Sequence, residues 1–78
     1  MKYSYYWKTR IGTFYIAEMD GRFHPVFDNE SLGSYAQPWQ AAEDVAGGHT
    51  FSISSGEDTA ELGIPEDLTE WHRVSGTN

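Results

Sequence analysis

The dipeptide Asp20-Gly21 sits between two stretches of alternating side chains, Gly12 to Met19 and Arg22 to Phe27. Asp-Gly is among the strongest short-range signals for a two-residue type I′ turn, because both turn positions need a positive φ that few other pairs adopt without strain. With these two residues as the loop, the pairing around them follows: Met19 faces Arg22, Glu18 faces Phe23, Ile16 faces Pro25 and Phe14 faces Phe27. Side chains alternate along a strand, so Phe14, Ile16, Phe23 and Phe27 share one face, with Glu18 at its open end. Tyr15, Ala17, Met19, His24 and Val26 share the other. The phenylalanine face is the expected core. Pro25 supports this register, because opposite Ile16 it occupies a non-hydrogen-bonded position where its missing N–H is not needed by the ladder. That also makes Phe23 to Phe27 read as a sheet edge.

Upstream, Tyr3 to Arg10 reads as a further strand, with Tyr3, Tyr5 and Trp7 on one side and Ser4, Tyr6, Lys8 and Arg10 on the other, turning into the hairpin through Ile11-Gly12. Downstream, Pro38 suits the first turn of a helix, where an N–H has no partner, and Gly47-Gly48 stops it. Trp39, Ala42, Val45 and Ala46 make a narrow apolar stripe that lets this helix lie close to the phenylalanine face. From His49 the chain reads as an irregular arm anchored by Phe51 and Ile53, with an exposed Ser54 to Asp58 loop. A short helix follows Pro65, placing Leu68 and Trp71 on one side. Trp71 is expected to act as a clasp over the second sheet face.

The fold class is therefore α+β: a three-stranded antiparallel β-meander (residues 1–28) packed with one α-helix (37–46), plus a C-terminal arm (49–74) ending in a short helix. At 78 residues this is one domain. Residues 75–78 are expected to fray.

Composition narrows the function. There is no cysteine, which removes thiolate metal sites, cysteine nucleophiles and disulfides, and fits a reducing compartment. No stretch approaches the roughly 18 apolar residues of a spanning helix, and no apolar run follows the N-terminal lysine, so a cytoplasmic location is expected and no membrane partner. The net charge of −7 opposes contact with a phosphate backbone, so no direct nucleic-acid binding is expected. His24, His49 and His72 lack metal-ligand spacing, and no Gly-x-Ser-x-Gly elbow surrounds any serine. Acidic neighbours such as Glu43-Asp44 point in different directions rather than flanking a cleft. The loop at Glu57-Asp58 lacks the ligand pattern and central glycine of an EF-hand, and no lysine follows Gly47-Gly48 as a phosphate loop requires. No catalytic residue, cofactor or metal is assigned.

Gly12-x-Phe14, Asp20-Gly21-Arg22, Leu32-Gly33-x-Tyr35 and the helical Ala41-Ala42 give residues 5–46 a pattern that resembles the three-strand-plus-helix plan of AP2 and integrase arm-type DNA-binding domains. The resemblance implies a shape. Those domains read DNA with several arginines on the sheet, whereas this segment carries few basic residues. With Gly47-Gly48-His49-Thr50-Phe51 and Leu62-Gly63-Ile64-Pro65-Glu66-Asp67-Leu68, the whole chain also resembles a group of short uncharacterised bacterial proteins, which implies no activity.

Charge placement directs the functional expectation. Of twelve acidic residues only Glu18 and Asp20 precede Phe27, while Arg73 is the one Lys or Arg after it. Glu57, Asp58, Glu61, Glu66, Asp67 and Glu70 form the candidate interaction surface, suited to steering a protein with a basic surface. The expectation is a non-enzymatic protein-interaction module. An inhibitor mimicking nucleic-acid charge, as some anti-CRISPR proteins do, and a small-ligand binder are the alternatives. Tyr5, Trp7 and Tyr15 are the candidate aromatic face, against the simpler reading that the arm covers them.

Overall fold

The computed structural model describes residues 2–74. Its fold is α+β, with a five-stranded antiparallel sheet and one α-helix. In chain order the strands are β1 (Lys2–Thr9), β2 (Gly12–Met19), β3 (Arg22–Phe27), β4 (Glu30–Ser31) and β5 (His72–Arg73), and the helix α1 spans Pro38–Gly47. Across the sheet the order is β4-β3-β2-β1-β5.

The β2–β3 hairpin forms in the register set by Asp20-Gly21, from Met19 opposite Arg22 to Phe14 opposite Phe27. Asp20 at φ 55° and Gly21 at φ 75° supply the two positive φ angles of the turn. Phe14 and Ile16 are fully buried, and Phe23 and Phe27 pack against the same core. The first hairpin turns one residue earlier than the sequence suggested, at Arg10-Ile11. There Thr9 Oγ1 donates to the Gly12 carbonyl (2.7 Å) and accepts from the Ile11 N–H (3.2 Å).

Two short strands extend the three-stranded meander. Asp28 (φ 53°) and Asn29 (φ 65°) make a second tight turn, and β4 pairs with the end of β3. Beyond it Phe23 and Tyr35 exchange both backbone bonds at 2.8 Å. β3 is therefore not a bare edge. Between these two contacts Pro25, with no N–H to give, only accepts, taking the Leu32 N–H at 2.7 Å. At the other side β5 joins β1, with Tyr5 opposite Arg73 and Tyr6 opposite His72. These strands lie in stretches read from the sequence as loop and chain end, because a two-residue strand is too short to show alternation.

A β-bulge corrects the reading of β1. Tyr3 pairs with Ala17 but Tyr5 with Ile16, so Ser4 is the extra residue. Strict alternation would have put Tyr3 with Tyr5 and Trp7. Instead Tyr5 and Trp7 face the core opposite Ile16 and Phe14, while Tyr3 moves to the other face and stacks on Tyr15 with ring centroids 4.5 Å apart.

Helix α1 begins with Pro38 at its first turn, where Gln40 Oε1 accepts the Gln37 N–H at 3.1 Å, and ends at Gly48 in the left-handed region. Ala41, Ala42 and Val45 are buried against Phe14 and Ile16. Small side chains on that face let helix and sheet approach closely. Trp39 departs from the expected stripe and is half exposed. Positions 38, 41, 42 and 45 follow helical spacing, and Trp39 lies beside them rather than among them.

The remaining segment packs on the helix side. Ile53, Leu62, Ile64 and Trp71 join the same cluster as Phe14, Ala42 and Val45. Two 3-10 turns organise it, Thr59–Glu61 capped by Asp58 and Leu68–Glu70 capped by Asp67. The expected short helix after Pro65 is thus a single 3-10 turn. Trp71 is buried, with Nε1 donating to the Pro65 carbonyl at 2.9 Å. Its position corrects the expectation that it covers the second sheet face: one face already holds the phenylalanines, so the apolar groups of the arm collect there. The fraying expected at 75–78 lies outside the described residues.

Candidate functional site

His24 is buried and its Nδ1 lies 3.0 Å from Ser31 Oγ, which superficially resembles a base beside a nucleophile. Ser31 Oγ, however, donates its single hydrogen to the Gly33 carbonyl at 2.9 Å. The imidazole Nδ1 is then the donor to Ser31, the opposite of what activation requires. This pair fastens β3 to β4. His72 stacks at 11° to the Trp7 ring, with centroids 5.5 Å apart. Among the described residues no group of three or more His, Asp or Glu side chains could hold a metal ion.

The six acidic residues singled out from the sequence do not form one uniform surface. Asp58 Oδ1 accepts the Ala60 N–H at 2.9 Å, and Asp67 Oδ1 accepts both the Thr69 N–H at 3.0 Å and the Thr69 hydroxyl at 2.8 Å. These carboxylates cap the 3-10 turns. The Thr69 bonds hold the Asp67 carboxyl below its usual range, because they favour its charged form. Glu57 is partly buried, whereas Glu61, Glu66 and Glu70 are exposed.

Glu66 and Asp67 do meet another feature. The turn that carries them faces α1 across a groove of about 460 Å³, whose wall includes Trp39, Glu43, Leu68 and Thr69. Trp39 keeps 50% of its surface exposed although it is one of the largest apolar side chains in the chain. The groove therefore pairs an indole and a leucine with three carboxylates. An indole face attracts cations through its quadrupole, and carboxylates accept from their N–H groups. Such a lining suits a cationic side chain better than an anionic one.

Sequence reasoning put Glu66 and Asp67 on an acidic interaction surface, read Trp39 as part of the buried helix stripe, and did not bring Glu43 to either. Counting the helix face from Pro38 rather than from Trp39 would have turned the indole outward. Glu57 and Asp58 instead border a separate hollow with Gly48 and Phe51, and neither Glu61 nor Glu70 lines either depression.

The candidate aromatic face divides between the two sides of the sheet. Tyr5 and Trp7 pack against the core, and the Arg73 guanidinium lies 5.9 Å from the centre of the Tyr5 ring. Tyr15 belongs to the other face, with Tyr3. On that face Arg22 is engaged by Ser34, through Nε to Oγ at 2.6 Å and through a guanidinium nitrogen to the carbonyl at 3.0 Å.

Tyr35 is the other perturbed group. Burial, and then a hydrogen bond to the negatively charged Asp44, push its hydroxyl up to about 12.

Among the described residues no helix is long and apolar enough to cross a membrane. Comparison with protein-family models, curated proteins and solved structures finds no match. The class this chain can be placed in is that of its fold, a small α+β domain with a five-stranded antiparallel sheet and one helix.

Proposed function

We propose that this protein is a non-enzymatic protein-interaction module, with the three-stranded meander as its scaffold and the helix-and-arm side as its working surface. Its partner presents a basic segment, and a lysine or arginine of that segment enters the groove between α1 and the Leu68–Glu70 turn. The observation that carries this reading is Trp39, half exposed and set among Glu43, Glu66 and Asp67. An exposed indole at a rigid helix is a typical anchor of binding energy, while surrounding carboxylates choose the sign of the partner and speed its approach. A cytoplasmic setting fits the absence of cysteine.

Selection of displayed random peptides against the protein tests this reading. Enriched peptides should be rich in Lys or Arg, bind with quenching of tryptophan fluorescence, and lose about tenfold in affinity with Trp39→Ala, a change of ~1.4 kcal/mol. Enrichment of neutral or acidic peptides, or binding indifferent to Trp39, would overturn it. Binding that depends steeply on salt and on the acidic residues, but not on Trp39, would favour the charge-mimic alternative.

A further inference from the structure

A second depression lies at the other face of the sheet, where the loop after Ile53 passes the Asp28-Asn29 turn. It measures about 510 Å³, within the usual size of a small-ligand site. Tyr3 and Tyr15 form one wall and Val26 contributes an apolar surface, while Asp28, Asn29 and Glu57 supply polar groups. Among the described residues none that lines it is Lys or Arg. The Ser4 bulge contributes directly, since without it Tyr3 would point into the core and the stacked pair would not exist. Bulges commonly re-aim side chains beside functional sites.

Glu57 adds an independent observation. Its Oε1 is buried and has no hydrogen-bond partner among the described residues. A carboxylate oxygen removed from water without a donor is costly, and native proteins leave few such atoms unexplained. The negative charge of Glu57 and Asp28 and the aromatic wall beside them suit one chemistry. A guanidinium is a planar cation that stacks on aromatic rings and donates in a fork to a carboxylate.

We infer that this cleft binds a small guanidinium compound, with the charged group received by Glu57 and the Tyr3–Tyr15 wall. The site is separate from the Trp39 groove and does not depend on it. Arginine amide is the probe, and citrulline amide, which keeps the α-amino group but carries a neutral urea of closely matching shape in place of the guanidinium, is the control. Each is titrated into isotopically labelled protein while the signals of Tyr3, Tyr15, Asn29 and Glu57 are followed. Arginine amide should give saturable shifts at these residues, and citrulline amide should bind at least about tenfold more weakly. Glu57→Gln and Tyr15→Leu should each weaken arginine amide by a similar factor, whereas Glu66→Gln should not. The spectra of the variants show at the same time whether they remain folded. Equal shifts from both compounds, no saturation, or shifts confined to Trp39 and abolished by Glu66→Gln would overturn the assignment.

Discussion

Gly48 does two jobs at one residue. It ends α1 at φ 76°, a conformation that costs a residue with a side chain, and a Cβ there would lie 2.6 Å from Asp58 Oδ1 and 3.1 Å from the Ala60 Cβ. Asp58 Oδ1 is the same atom that caps the first 3-10 turn. Gly48→Ala should therefore lose the cap as well as the glycine conformation and cost about 2 kcal/mol. Gly21→Ala provides the comparison, because Gly21 has φ 75° but nothing within 4 Å of its added Cβ. It should cost about 1 kcal/mol from the backbone alone. Urea unfolding of both variants checks the difference; equal losses would mean that Asp58 moves aside freely. Tyr35 gives a prediction in pH. Its folded-state value is raised from 10.0 to about 12, so above pH 10 the unfolded chain releases a proton that the folded one keeps. Its contribution is complete below pH 10, declines between 10 and 12 and is lost above that range. Urea unfolding across this range should show wild-type stability falling towards that of Tyr35→Phe as the pH rises. A constant gap between the two would show that Tyr35 titrates alike in both states.

At the scale of elements, Trp71 holds the last strand in place. Buried against the helix-side core and bonded to the Pro65 carbonyl, it immediately precedes β5, and Val74 then donates its N–H to the Ser4 carbonyl at 2.9 Å. Trp71→Ala should cost ~3–5 kcal/mol, measured by thermal or urea unfolding. A change below about 1 kcal/mol would mean that the surrounding core does not need the indole. The tryptophan's burial was legible because large aromatic side chains in a small chain need cover; its side of the sheet was not, since that depends on where Ile53, Leu62 and Ile64 also find room. The hairpin was legible to the residue because Asp20-Gly21 fixes a register that Pro25 can test. Helix α1 was legible from its two punctuating residue types, proline and glycine. What escaped were features decided by a partner far along the chain. The Ser4 bulge exists where Tyr3 meets Tyr15, and β5 exists only beside β1. Of the candidate site, Glu66 and Asp67 were visible as acidic residues, but their company with Trp39 arises from packing the second 3-10 turn against α1.

Over the whole molecule, four exposed glutamates lie on the helix and the segment after it, while Asp28 and Glu57 border the cleft at the open sheet face. Within β1, β2 and β3 the residues of that face include Lys8 and Arg22 but no acid, while Glu43, Glu61, Glu66 and Glu70 are exposed on α1 and the segment after it. Like charges repel one another, with salt screening the repulsion over a Debye length of about 8 Å, so gathering these carboxylates on one part of the fold costs it some stability unless a basic partner relieves it. Asp58 and Asp67 recover something through their caps; Glu61, Glu66 and Glu70 have no such bond to the 3-10 turns. The triple variant Glu61→Gln, Glu66→Gln, Glu70→Gln should therefore melt at the same temperature as the wild type or higher, with the difference shrinking as salt is added. Scanning calorimetry at low and high ionic strength measures both. If the triple variant were instead less stable by more than ~1 kcal/mol, these carboxylates would be serving the fold, and their exposure would no longer support a role in binding. The same variant should bind Lys- or Arg-rich peptides more weakly. Retained stability with weakened binding would separate what the acidic side does for a partner from what it does for the chain.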